Sequence, residues 1–154
     1  MKKYEFTGEI KQWLGRTLHR IRATVAFGDV KAGDVGGWIE KEDNLDHAGN
    51  AWVYGNAQVC GNAQVWGDAW VCGNAQVCKM SHYLTIGPIG SRNGFTTFFR
   101  TKELEIHVTC GCFRGSIEAF AKQVQKTHGD NEHAKHYMMA IEMAKAKIDL
   151  SPEE

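Results

Sequence analysis

Gly49-Asn50-Ala51-Trp52-Val53-Tyr54 opens a run of five consecutive six-residue units, GNAWVY, GNAQVC, GNAQVW, GDAWVC and GNAQVC, which closes at Cys78. Every unit has Gly first, Asn or Asp second, Ala third and Val fifth. Six residues are too few for a helical repeat but suit one flat side of a three-sided β-solenoid. Ala and Val stand two apart, so both point to the same side of an extended strand. Val53, Val59, Val65, Val71 and Val77 then fill an interior. Gly-Asn or Gly-Asp takes each corner, because Gly and Asn tolerate positive φ at little cost.

Three units per turn stack residues 18 apart, and residues 49–60 match 67–78 except at Asn50/Asp68 and Tyr54/Cys72. This register sets Trp52 over Trp70, outside the coil, and Gln58 over Gln76, at the strand spacing of about 4.8 Å. Two readings of the aromatics stay open. They are ladders that hold the coils together, or Trp52, Tyr54, Trp66 and Trp70 form a partner surface, since contiguous exposed aromatics mark interfaces.

The repeat resembles the hexapeptide-repeat superfamily, whose fold is a left-handed parallel β-helix. Upstream, Gly28-Asp29-Val30-Lys31-Ala32-Gly33-Asp34-Val35-Gly36-Gly37-Trp38-Ile39-Glu40 is similar to the lead-in of phage and prophage hexapeptide-repeat proteins. The resemblance implies a phage-type protein in a bacterial host. Many of its members are acyltransferases, and many form trimers.

Composition narrows the setting. Lys plus Arg (18) equals Asp plus Glu (18), so no global field draws nucleic acid or acidic lipid. No apolar run is long enough to span a bilayer, and Met1-Lys2-Lys3-Tyr4-Glu5-Phe6 lacks the apolar stretch of a signal peptide. The expectation is a cytoplasmic protein with no membrane partner. Cys60, Cys72, Cys78, Cys110 and Cys112 are an odd number without an export signal, and free thiols are expected.

Before the hexads, residues 1–27 alternate weakly, as in His19-Arg20-Ile21-Arg22, and predict two or three strands that cap the solenoid. Arg16, Arg20 and Arg22 make either a basic strip or a solvated face, and Glu5, Glu9 and Asp29 nearby favour the latter. After Cys78 charges of both signs return. Strand-like runs at 82–86, 95–100 and 104–109 are separated first by the loop Gly87–Gly94. Ser116 is a good N-cap for a helix bearing Ile117, Phe120, Ala121 and Val124, and Gly129 stops it. Asp130 or Asn131 caps a second helix with the stripe Ala134, Tyr137, Met138, Ile141, Ala144, Ile148. The expected fold class is therefore mainly β with an α+β C-terminal part. A capped left-handed parallel β-helix fills 1–78, and a small three-strand/two-helix module fills 79–154.

The chemistry-bearing residues favour binding over catalysis. Acyl transfer needs a general base, usually His, and a groove between coils; the hexads contain no His, and His47 just before them is the one nearby candidate. Cys110-Gly111-Cys112 with His107 or His128 is a weak zinc signal, and two small buried thiols on one strand face explain the cysteines better. His128, His133 and His136 read as solvent-facing. No catalytic residue, metal or cofactor is assigned.

The more suggestive set is Ser91, Arg92 and Asn93 in the Gly-rich turn, with Thr97, Arg100 and Arg114 on or after strands. Gly-rich turns and arginines hold phosphate, but the motif matches no phosphate-loop consensus, and a plain turn with surface arginines is the better-supported reading. The expected function is a non-catalytic phage-type accessory protein that binds a host or phage protein or a small nucleotide, and so antagonises a host defence system. The rivals are a reduced acyltransferase and a structural solenoid that assembles into homo-oligomers.

Overall fold

The computed structural model describes residues 2–152. Met1, part of the stretch read for a signal, and the last two residues of the second expected domain lie outside the described residues. Strands β1 (Tyr4–Trp13) and β2 (Arg16–Ala23) form an antiparallel hairpin, turned through Leu14 and Gly15 at positive φ. Strand β3 (Val35–Ile39) pairs antiparallel with β2. Four two-residue strands follow in the hexads: β4 (Trp52–Val53), β5 (Gln58–Val59), β6 (Trp70–Val71) and β7 (Gln76–Val77). The hairpin, β3, β5 and β7 make one five-stranded mixed sheet, and β4 with β6 makes a two-stranded parallel one.

Four longer strands then build an antiparallel sheet in the order β11-β10-β9-β8: β8 (Tyr83–Ile89), β9 (Gly94–Arg100), β10 (Ile106–Cys110) and β11 (Phe113–Ser116). Helices α1 (Ile117–His128) and α2 (Glu132–Lys147) close the described chain. Ser116 and Asn131 cap them, each accepting a backbone N–H from the residue three positions on, Ala119 and Ala134.

This topology corrects the expected fold class. The sheets are mostly antiparallel, and no closed or solenoid sheet forms among the described residues. The chain is not a left-handed parallel β-helix followed by a three-strand module. It is a mixed assembly of β sheets with two C-terminal helices. The six-residue period does hold locally: Trp52 pairs with Trp70, Gln58 with Gln76 and Val59 with Val77. Of the two-residue hexad strands, β5 and β7 extend the sheet led by β1, β2 and β3, while β4 and β6 pair only with each other.

The C-terminal sheet gains a fourth strand because Cys110-Gly111-Cys112 is a turn rather than one strand, with Gly111 at φ 57°. Strand β8 also runs on to Ile89, so the predicted loop from Gly87 shrinks to a turn closed by the Asn93 N–H on the Gly90 carbonyl.

The cysteine expectation changes too. Cys60 and Cys78 form a disulfide, with 4.5 Å between their Cα atoms, because their 18-residue separation stacks them on successive repeats. Cys72, Cys110 and Cys112 are free; Cys112 is exposed, and Cys110 is half-buried. A cross-link over 18 residues stabilises by about 3 kcal/mol through the unfolded chain.

Two cores result. The hexad valines are buried with Tyr4, Ile21, Ile39, Trp52 and Phe99. Phe98, Val108, Phe120, Val124 and Ile141 form the other, between the antiparallel sheet and its helices. Met138, expected in that second core, is exposed, as are Met139 and Met143. The opposite face of the sheet closes the last repeat. Trp70 has no further repeat to pair with on that side, and the sheet supplies the missing partners: Trp70 donates its N–H to Thr97 Oγ1 (3.1 Å), and Thr109 Oγ1 donates to the Trp70 carbonyl (2.8 Å).

Candidate ligand site

The site begins with the strand register of the antiparallel sheet. Thr85, Thr97, Thr109 and Arg114 lie directly opposite one another on β8, β9, β10 and β11. Cross-strand partners share a face, so this row meets the hexads as a unit. Thr85 and Thr97 join hydroxyls at 2.7 Å, and Thr97 and Thr109 hold the Trp70 backbone from both sides. At the end of the row the Arg114 guanidinium lies over two hexad rings, 5.4 Å from Trp70 and 5.8 Å from Tyr54. Those rings are themselves stacked, with centroids 6.4 Å apart.

Arg114 is exposed, and it makes no hydrogen bond or ion pair with any described residue. Its guanidinium thus rests on aromatic rings while its N–H donors stay open. A guanidinium held this way is pre-organised to take a carboxylate or phosphate in two-pronged fashion.

Two clefts flank this side chain. One, of about 410 Å3, runs between Arg114, Tyr54 and His107 and the stacked corners at Asn56 and Asn74. It has no carboxylate in its lining, and Cys72 sits in its floor. Burial pushes the Cys72 thiol up, and the Arg114 charge pulls it back in part. The other cleft, of about 240 Å3, lies between Arg114, Trp70 and Thr109 on one side and Asp29, Asn50 and Asp68 on the other. Together they form a seam between the hexads and the C-terminal sheet, with the arginine as the divider.

Of the residues singled out in the sequence, Thr97 and Arg114 come together here, with Thr97 a buried support whose hydroxyl is already used. Ser91, Arg92 and Asn93 are exposed in the β8–β9 turn and line neither cleft. Arg100 is fully buried; its Nε donates to the Gln76 carbonyl and one terminal nitrogen to the Ser151 carbonyl, so it ties three segments together. Sequence reasoning weighed His107 only as a metal ligand and did not place it, Thr109, Asn56, Asn74, Asp29 or Asp68 at a ligand site. Strand alternation on β10 carried the signal for the first two, and the 18-residue stacking carried it for the asparagines.

The aromatic surface divides. Tyr54 and Trp66 are exposed, and Trp70 is half-buried under Arg114. Trp52, expected outside the coil, is fully buried beneath Tyr4 and Phe27. Its ring lies where Gly36 leaves room: a Cβ there would sit 2.7 Å from Trp52 Cζ2.

His47 has both ring nitrogens engaged. Nδ1 accepts the Lys3 N–H at 3.0 Å, which leaves the proton on Nε2 to face Glu42 Oε1, also at 3.0 Å. That hydrogen bond is the first cause, with a second from Lys2, that lowers the Glu42 carboxyl below its usual range. A general base needs a lone pair turned to substrate, and this imidazole offers none.

Among the described residues no group of three or more His, Cys, Asp or Glu converges as a metal site, and no helix is long and apolar enough to cross a membrane. No family model matches the chain, and no curated protein matches it either.

Proposed function

We propose that this chain is a non-catalytic binding protein of the phage hexapeptide-repeat type, which holds a small anionic ligand against Arg114 in the cytoplasm of a bacterial host. The observation that carries the reading is the state of that arginine. Its guanidinium lies over Tyr54 and Trp70, yet its donors are unused by any described residue. Unused donors on a positioned cation are a feature of sites that wait for an anion. The likeness of the Gly28–Glu40 lead-in to phage proteins extends the reading to its purpose: removing a nucleotide signal from a host defence system.

Thermal unfolding with and without pyrophosphate or a nucleoside diphosphate tests this. A ligand at about 100 times its Kd adds about 2.7 kcal/mol, which raises the midpoint of a chain this size by about 5–10 °C. Arg114→Ala removes the shift. An equal shift in Arg114→Ala, or none with any anion, overturns the reading and leaves a protein partner on the exposed Tyr54 and Trp66 as its successor.

A further inference from the structure

We infer that the ligand is a phosphate-bearing ribose, with its phosphate in the cleft beside His107 and its ribose hydroxyls on Asp68. This rests on the anion reading of Arg114 and adds what lies on its two sides. The corner position after each hexad glycine is Asn in four units, at Asn50, Asn56, Asn62 and Asn74, and Asp only at Asp68. The corner itself needs no carboxylate, since its neighbours turn with an amide, and Gly67 before it has the same positive φ as the other hexad glycines. Asp68 makes no hydrogen bond or ion pair with any described residue. The one charged departure from the repeat thus sits, unused, in the cleft next to Arg114.

The two clefts differ in chemistry. The larger offers donors from Arg114, Asn56 and Asn74 and no carboxylate among its lining residues, while His107 Nε2 at its edge faces Glu105 Oε1 at 3.8 Å. Phosphate oxygens only accept, so this is the side they can occupy. The smaller offers the carboxylates of Asp68 and Asp29 beside Arg114. A carboxylate repels phosphate but accepts from hydroxyls, and an acidic side chain on a ribose diol is a general device of nucleotide recognition. An anion alone has no use for the second cleft, and an uncharged sugar has none for the arginine. A phosphate joined to a cis-diol uses both, and the combined space of the clefts falls in the range of small-molecule sites.

Calorimetric titration of the intact chain with ADP, 2′,3′-dideoxy-ADP, ribose 5-phosphate and pyrophosphate tests the assignment, on wild type, Asp68→Asn and Arg114→Ala. Asp68→Asn recreates the corner that four other units already use, so its folding is assured by the repeat. The expected result is that ADP loses about 10-fold or more in affinity on Asp68→Asn. Dideoxy-ADP should bind wild type that much more weakly and be indifferent to the substitution. Ribose 5-phosphate behaving like ADP identifies a sugar phosphate as the source, and weaker binding identifies a nucleotide; both keep the inference.

If ADP and its dideoxy analogue bind alike and Asp68→Asn changes neither, the ribose assignment is overturned while an Arg114-dependent anion site stands. If no phosphate compound binds, or Arg114→Ala binds as well as wild type, both readings fall together.

Discussion

Trp52 and Trp70 occupy the same place in the repeat and pair with each other across β4 and β6, yet one is sealed and the other half-open. The difference lies in what closes each side of this short stack. Beside Trp52 the N-terminal segment folds over: Tyr4 and Phe27 meet the indole edge-on, and Lys3 Nζ donates to the carbonyls of Ala51 (2.7 Å) and Gly49 (3.4 Å). Beside Trp70 the antiparallel sheet supplies two threonine hydroxyls for the backbone and leaves the ring to Arg114. Both sides solve one physical problem, a row of backbone groups with no next repeat to pair with. One solution uses a buried aromatic plug and a cation. The other uses neutral hydroxyls, and it leaves an aromatic platform facing a cleft. Identical repeat positions thus acquire different surroundings, one sealed and one open to the cleft where the proposed ligand would bind.

Replacing each tryptophan by alanine is the strongest way to break this comparison. Trp52→Ala removes a fully buried indole from the hexad core and costs about 3–5 kcal/mol, a fall in Tm of about 6–20 °C. Trp70→Ala removes a half-buried ring and costs about 1–2 kcal/mol, but it also takes away the platform under Arg114 and so weakens ligand. Differential scanning calorimetry beside a pyrophosphate titration separates the two. Equal destabilisation by both variants, or retained binding in Trp70→Ala, would show that the two sides are not specialised.

How much of this was legible depends on how far each cause lies along the chain. The stacking of Gln58 on Gln76 and of Val59 on Val77 follows from a period written in consecutive residues. The helix starts at Ser116 and Asn131 follow from local caps. Even the Cys60–Cys78 bond was implicit in that same 18-residue register, which an argument from cysteine number and the absence of an export signal overrode. The burial of Trp52 was not legible, because Tyr4 and Phe27 reach it from outside the repeat and nothing in residues 49–54 announces them. The fold class failed for a related reason. The period describes how units stack, not which strands extend their sheet, and the long strands β1 and β2 set the direction of that sheet. At the site, Arg114 and Thr97 were found by residue type, whereas Ser91, Arg92 and Asn93 were grouped by adjacency alone. Convergence depends on strand register, which put Thr109 rather than Asn93 beside Thr97.

The hydroxyl-closed side gives a smaller effect that sharpens the contrast. Thr97→Val keeps shape but leaves the Trp70 N–H without its acceptor inside the protein. A buried donor left unsatisfied costs about 1–3 kcal/mol, a fall of about 2–12 °C in Tm. Thermal unfolding measured from pH 7.5 to 9.5 should give the same penalty throughout, because a threonine hydroxyl does not titrate there. A penalty that changes with pH would mean that the variant acts through a charged neighbour rather than through the Trp70 backbone.

The other side should behave in the opposite way. Burial pulls the Lys3 amine down from 10.5 to about 8, with Asp46 opposing the shift. Between those values the unfolded chain binds a proton that the native chain has released, so the contribution of Lys3 to stability rises with pH. It is complete above 10.5 and is lost as pH falls through 8. Tyr4 works the other way at the alkaline end: burial, then Glu42, Asp46 and Asp43, raise its hydroxyl, so its contribution is present below 10 and declines only as pH climbs past that. The interval from pH 7.5 to 9.5 therefore isolates the amine from the phenol. Lys11 and Lys147 are also lowered by burial, and they tilt the curve of every variant alike. Subtracting the Tm of Lys3→Met from that of wild type cancels their share. The difference should grow in favour of wild type by about 1–4 °C across the interval, while the Thr97→Val difference stays flat. A Lys3→Met difference that is equally flat would mean that the ammonium keeps its proton against the Ala51 carbonyl throughout, and that both sides of the stack are closed by groups indifferent to pH.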